Sequence, residues 1–171
     1  MVIPLLGLLL VMSPGRASAA PAEAAVEQPK DEAPVKPCSK ESDDYSLTGK
    51  ELSSVSLSRF DGDKELYAKA KDAAARARDL ARNELARCAA TAAKKSDSCA
   101  RKLKDLAAAE ADYDNPGMQD TDGELTRKTH AAARELEACL RDAEVEVPKG
   151  FVDANRDRFV KADAAPKGGK P

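Results

Sequence analysis

Tryptophan is absent from the 171 residues, isoleucine does not recur after Ile3, and histidine occurs once. From Ala20 onward, Leu, Val and Phe make up only 21 of 152 residues, about 14%. A share below ~20% marks a chain of high net charge as disordered, but here the charges nearly cancel, 28 Lys and Arg against 30 Asp and Glu. The net charge of −2 provides no basic field to draw nucleic acid and no single-sign tail. So few large apolar side chains exclude a large enzyme core, a β-sandwich and a membrane bundle. Signatures of chemistry are missing as well. There is no Gly-x-x-x-x-Gly-Lys-[Ser/Thr] phosphate loop, and no strand-turn-helix presents a nucleophile. Any histidine-dependent triad would have to use His130, which also lacks the paired Cys or His spacing of a zinc site. His130 is expected at the surface or at a seam edge. Neither a catalytic activity nor a cofactor is expected.

Long apolar runs are equally scarce. Residues 2–12 form the one such stretch, too short for a bilayer, which needs ~20 apolar residues. It suits the apolar region of a secretory signal, and Ala17-Ser18-Ala19 supplies an A-x-A cleavage pattern. Residues 1–19 are therefore expected to be a signal peptide, with Ala20 as the mature N-terminus. No lipid-attachment cysteine or C-terminal apolar tail follows. The mature chain is expected to be soluble, without a membrane span, in a periplasmic or extracellular compartment that permits disulfides.

What the chain has in quantity is alanine, 31 of the same 152 residues. Residues 20–58 read as a Pro- and Ser-rich linker and irregular arm, with Pro21, Pro29, Pro34 and Pro37 and no apolar period to bury. The helical domain is expected over 59–161, opening at Asp61. Between Glu65 and Asp112 there is neither Gly nor Pro. Leu66, Ala70, Ala73, Ala77 and Leu80 recur at spacings of four and three, the period of a helix seam or coiled coil. A second seam follows at Leu85, Cys88, Ala92, Cys99, Leu103, Leu106, Glu110 and Tyr113. Lys94-Lys95-Ser96-Asp97-Ser98 is the one place to break, but the seam resumes in phase, so one continuous helix over 61–112 is expected. Asn115-Pro116-Gly117 marks a turn. Thr121-Asp122-Gly123-Glu124 matches a capping box for a helix over 122–144. Its seam is Leu125, Ala132, Leu136, Cys139 and Leu140. A short last helix fits residues 151–160, and residues 162–171 read as a disordered tail. The expected fold is all-α: a long antiparallel helical hairpin with a short C-terminal helix, stapled by disulfides between disordered tails.

Four cysteines in an exported chain read as two disulfides, with three pairings to choose from. Cys99 lies about 20 Å before the inter-helix turn and Cys139 about 24 Å after it, at 1.5 Å per residue, so their levels match. Cys88 stands about 12 Å farther out by the same rise, which leaves it Cys38 on the arm. The expected pairs are Cys99–Cys139 and Cys38–Cys88. A break at residues 94–98 would instead permit Cys88–Cys99 with Cys38–Cys139.

The loop between the helices carries Asp112, Asp114, Asp120, Asp122 and Glu124. Asp112, Asp114, Gly117 and Asp120 fall at positions 1, 3, 6 and 9 of a twelve-residue calcium loop. Pro116 occupies position 5 and Glu124 arrives one residue late, so the fit is poor and helix capping is the plainer role. The function expected is a binding or structural module for a protein partner or a second copy. Weak calcium binding through these acids is the alternative.

Overall fold

A computed structural model of the chain describes residues 35–164. The expected signal peptide at 1–19, linker residues 20–34 and tail residues 165–171 lie outside the described residues. The regular elements are all helices: α1 (Ser39–Ser54), a 3₁₀ turn (Leu57–Phe60), α2 (Lys64–Ala93), α3 (Asp97–Tyr113), α4 (Glu124–Asp142), α5 (Phe151–Ala154) and α6 (Arg156–Ala164). No strand occurs among the described residues.

The single long helix of the sequence reading is two helices. The chain breaks after Ala93, through Lys94, Lys95 and Ser96, and α3 restarts at Asp97. Ser96 takes an extended backbone as the N-cap, and Asp97 puts a carboxylate in the first turn, where the helix dipole favours it. The break turns the second half of the seam onto α4. Cys99 is bonded to Cys139, Lys102 reaches Glu135, and Asp112 reaches Lys128. The partner numbers fall as the first rise, so α3 and α4 run antiparallel. Cys99, Leu103, Leu106 and Glu110 are the buried residues the seam of α3 places there.

The arm is the second correction. Residues 39–54 form α1, which packs antiparallel on α2. Its own sequence is a poor helix former, with five serines and Gly49 in sixteen residues. Tertiary contacts hold it. Cys38 is bonded to Cys88, and Arg78 of α2 donates to the Tyr45 carbonyl at 3.2 Å and to its hydroxyl at 2.9 Å. The Arg78 guanidinium also lies 4.3 Å from the Tyr45 ring centroid, a cation–π stack. Gly49 makes room for it, since a Cβ there would stand 1.9 Å from Arg78 Nη1. The fold therefore has two antiparallel helix pairs, not one long hairpin with a free arm.

Helix starts differ in detail from the expected ones. Asp63 caps α2 by accepting from the backbone N–H of Glu65 and Leu66, while Asp61 takes a left-handed backbone at the end of the 3₁₀ turn. The Thr121–Glu124 capping box does not form. Gly123 is the N-cap, at φ 66°, and the Asp120 carboxylate accepts from Leu125 N at 2.9 Å and Thr126 N at 3.2 Å. The short last helix is divided at Asn155, whose buried side chain donates to the Phe151 carbonyl at 2.7 Å. Helix α6 extends to Ala164, past the expected edge of the domain at residue 161.

One core joins these pieces. Leu85, Ala89 and Ala93 of α2 meet Leu103 and Leu106 of α3 and Leu136 and Leu140 of α4. Val145, Phe151, Val152 and Phe159 close it from the C-terminal side. Phe159 is fully buried and its ring lies 6.1 Å from that of Phe151. No helix among the described residues is long and apolar enough to cross a membrane.

Candidate functional site

The acids between α3 and α4 do not converge. Asp112 is engaged by Lys128 at 2.5 Å, and Asp120 is spent on the start of α4, with Thr126 Oγ1 donating to it at 2.5 Å. That hydroxyl bond and the two backbone donors hold the Asp120 carboxyl below the usual carboxylate range. Asp122 contributes its backbone carbonyl to Arg127. Asn115 Oδ1 closes the turn by accepting from Gly117 N at 3.0 Å. Among the described residues no group of three His, Cys, Asp or Glu side chains stands together as a metal site. Capping and local ion pairing, not ligation, is what the loop's geometry does with Asp112 and Asp120, and nothing gathers Asp114, Asp122 and Glu124 around them.

The histidine is instead part of an ionic cluster that ties four helices. Glu110 comes from α3, His130 from α4, Asp153 from α5 and Arg156 from α6. Arg156 Nε donates to Glu110 Oε1 at 2.6 Å, and Arg156 Nη1 donates to Asp153 Oδ1 at 2.8 Å. His130 Nδ1 lies 2.6 Å from the same Asp153 oxygen and 3.0 Å from Arg156 Nη1. Burial pushes the Asp153 carboxyl up, but hydrogen bonds and charge from Arg156 and His130 outweigh it, and it rests below its ordinary value. A carboxylate with a depressed native value contributes stability above its unfolded value, ~3.9, and loses that contribution as pH falls through the native value. Stability should therefore decline over the range below about pH 4 as the Asp153 carboxylate protonates. Urea midpoints measured across that range should fall less steeply for Asp153→Asn than for the parent chain; equal slopes would mean the cluster contributes nothing.

A concave feature lies elsewhere, along α1 and α2. A groove of about 610 Å³ opens over the Cys38–Cys88 bond and is lined also by Glu41, Asp44, Glu84 and Arg87. A second, of about 440 Å³, lies between α2 and α6 and shares Glu84 and Arg87 with the first. Leu80 stands at its edge. The seam expected to be buried on α2 runs from this point toward the N-terminus of the helix. It is exposed: Leu66 is 53% and Leu80 64% accessible, Ala73 is open, and Ala70 and Ala77 are only half-covered. The reason is angular. Helix α1 lies against the neighbouring stripe, Ala74, Arg78, Ala81, Leu85 and Cys88, which has the same spacing one residue, or about 100°, farther round. The core takes Ala86, Ala90 and Ala93, roughly opposite the open stripe by the same rotation.

Sequence reasoning located the open stripe and the four cysteines. It missed the groove, because one wall is α1, and it missed the ionic cluster, because Asp153 and Arg156 lie in a segment treated as marginal. A spacing signal existed for the latter: Asp153 and Arg156 are i, i+3 neighbours, though the break at Asn155 separates their helices. No protein-family model, no curated protein and no solved structure matches the chain.

Proposed function

We propose that the protein is an exported, disulfide-stapled helical module that binds another macromolecule through the outer face of α2. The observation that carries this reading is the stripe Leu66, Ala70, Ala73, Ala77 and Leu80. It has the four-and-three spacing of a helix-pairing seam, yet its two leucines are more than half exposed. Contiguous exposed apolar surface on a chain so poor in leucine is a costly thing to leave uncovered, and it is the kind of surface that partners use. The alanines let a partner helix come close. The grooves on either side of Glu84 and Arg87 continue the same surface toward the core. Two disulfides support a compartment that keeps cysteines oxidised, and the apolar run with Ala17-Ser18-Ala19 supports removal of residues 1–19 on export. In this reading the chain has no catalytic role.

The test is a paired one. Leu66→Glu and Leu80→Glu should leave the unfolding free energy within about 0.5 kcal/mol of the parent, as exposed substitutions do. Both should abolish recovery of whatever the parent chain retains from the extracellular or periplasmic fraction, or the self-association it shows in sedimentation. Retention of the same material by both variants would place binding elsewhere. N-terminal sequencing of exported material should begin at Ala20.

A further inference from the structure

We infer that the Cys38–Cys88 disulfide is a redox latch on α1, one that a dithiol opens while Cys99–Cys139 stays closed. The two bonds differ in what surrounds them. Cys99 and Cys139 join helices that pack through Leu103, Leu106, Ala133 and Leu136, all essentially inaccessible. If that bond is cut, the packing still holds the two thiols together, and their high effective concentration closes it again. Cys38 joins a helix whose one buried residue is Ser42 and whose Leu47 is 55% exposed. Beyond its packing along α2, α1 is held by the Arg78–Tyr45 contact, the edge-on Tyr45–Phe151 pair at 5.0 Å, and the Pro37 carbonyl accepting from Glu146 N at 2.9 Å.

Access and backbone favour opening at the same place. Both sulfur-bearing residues line the open groove of about 610 Å³, which is ample for a small dithiol. Each bond pairs a buried cysteine with a half-exposed one, Cys38 with Cys88 and Cys99 with Cys139, so it is the groove that favours the first, and within it the thiolate attacks Sγ of the more open Cys88. The S–S bond breaks, the Cys38 thiolate leaves, and a mixed disulfide forms on Cys88. The second thiolate of the reductant then displaces Cys88 and closes its own disulfide. Two electrons pass to the protein, and the two protons of the dithiol finish on Cys38 and Cys88. Cys38 also stands at φ 65°, in the left-handed region that residues with a Cβ adopt uncommonly and at some cost. Once the bond is open, Cys38 is free to leave that conformation, and as the N-cap of α1 it takes the first turn of the helix with it. The product is a chain with α1 released and the α2 face at Ala74, Arg78 and Ala81 uncovered.

The experiment uses dithiothreitol on the full mature chain, with timed alkylation and peptide mapping of each cysteine. Cys38 and Cys88 should be alkylated at least tenfold faster than Cys99 and Cys139. Hydrogen exchange on the partly reduced protein should then show amides 42–54 losing protection while amides 103–110 and 129–140 keep theirs. A Cys38→Ser/Cys88→Ser double variant should show the same exchange pattern without any reductant. Equal reduction rates, or Cys99–Cys139 opening first, would overturn the latch. So would α1 amides that stay protected after Cys38–Cys88 has opened, or a loss of protection across the whole molecule. None of these outcomes depends on whether the α2 stripe binds a partner.

Discussion

Cys99→Ser or Cys139→Ser is expected to destabilise the protein by about 4 kcal/mol, the chain-entropy value for a loop of this size. The bond spans 40 residues and joins the two helices that contain most of the buried leucine. For a domain of this length each kcal/mol shifts the melting temperature by roughly 3–6 °C, so a fall of more than about 10 °C is expected. Each single change leaves a partner thiol with nothing to bond, and both remove the same constraint. The Cys99→Ser/Cys139→Ser double variant should therefore melt within a few degrees of either single variant. Calorimetry of the three variants settles it. A double variant that melts far below both singles would show that each cysteine contributes through its own packing and not through the bond. Cys38→Ser should cost less, although its loop of 50 residues is longer. The arm it tethers buries little, so the unfolded chain is constrained for a smaller native gain.

Phe159→Ala should be comparably severe, at about 3–5 kcal/mol for truncating a buried phenylalanine. Phe159 is the largest fully buried side chain among the described residues. It projects from α6 into a core built largely of alanine and leucine, and its ring stands edge-to-face with Phe151, which in turn meets Tyr45 of α1. Small neighbours cannot swell to fill the void, and alanine faces have no rotamers with which to repack. The loss should also unpin α6, which brings Arg156 to Glu110 and Arg158 to both Asp79 and Asn83. The accompanying signature is a rise in the native value of the Asp79 carboxyl, which the Arg158 hydrogen bond now depresses. Chemical denaturation measures the first effect and NMR titration the second. A cost below about 1 kcal/mol would mean that α6 lies on the core without sealing it.

Residue pattern and tertiary fold divide the remaining questions between them. The absence of Gly and Pro between Glu65 and Asp112, with alanine and leucine at helical spacing, is sufficient for helix there, because backbone propensity acts over one turn. The level argument for Cys99 and Cys139 depends only on the lengths of α3, α4 and the turn between them, and the break at Lys94 to Ser96 lies outside that span. That is why the same pair appears although the expected long helix is two. The place of the break is readable, since Lys94 to Ser98 is the one stretch that invites it, but that the helix does break there is not. Lys94, Lys95 and Ser96 are tolerable in a helix interior, and the gain from laying α3 on α4 outweighs the few hydrogen bonds lost at the junction.

Helix α1 shows the same limit from the other side. Its serines and Gly49 predict an irregular arm, and as a free peptide it would be one. It is helical because Cys88 anchors its start and Arg78 stacks on Tyr45 across a gap that only glycine leaves open. From residue pattern alone come an all-helical chain, few large apolar side chains, and two successive seams, Leu66 to Leu80 and then Leu85 onward. Which stripe is covered was decided by the tertiary structure. The stripe that α1 covers includes Arg78 and lies about 100° of rotation from the open one. Only the position of α1, set by one disulfide and one arginine, distinguishes the face that is filled from the face that is left open.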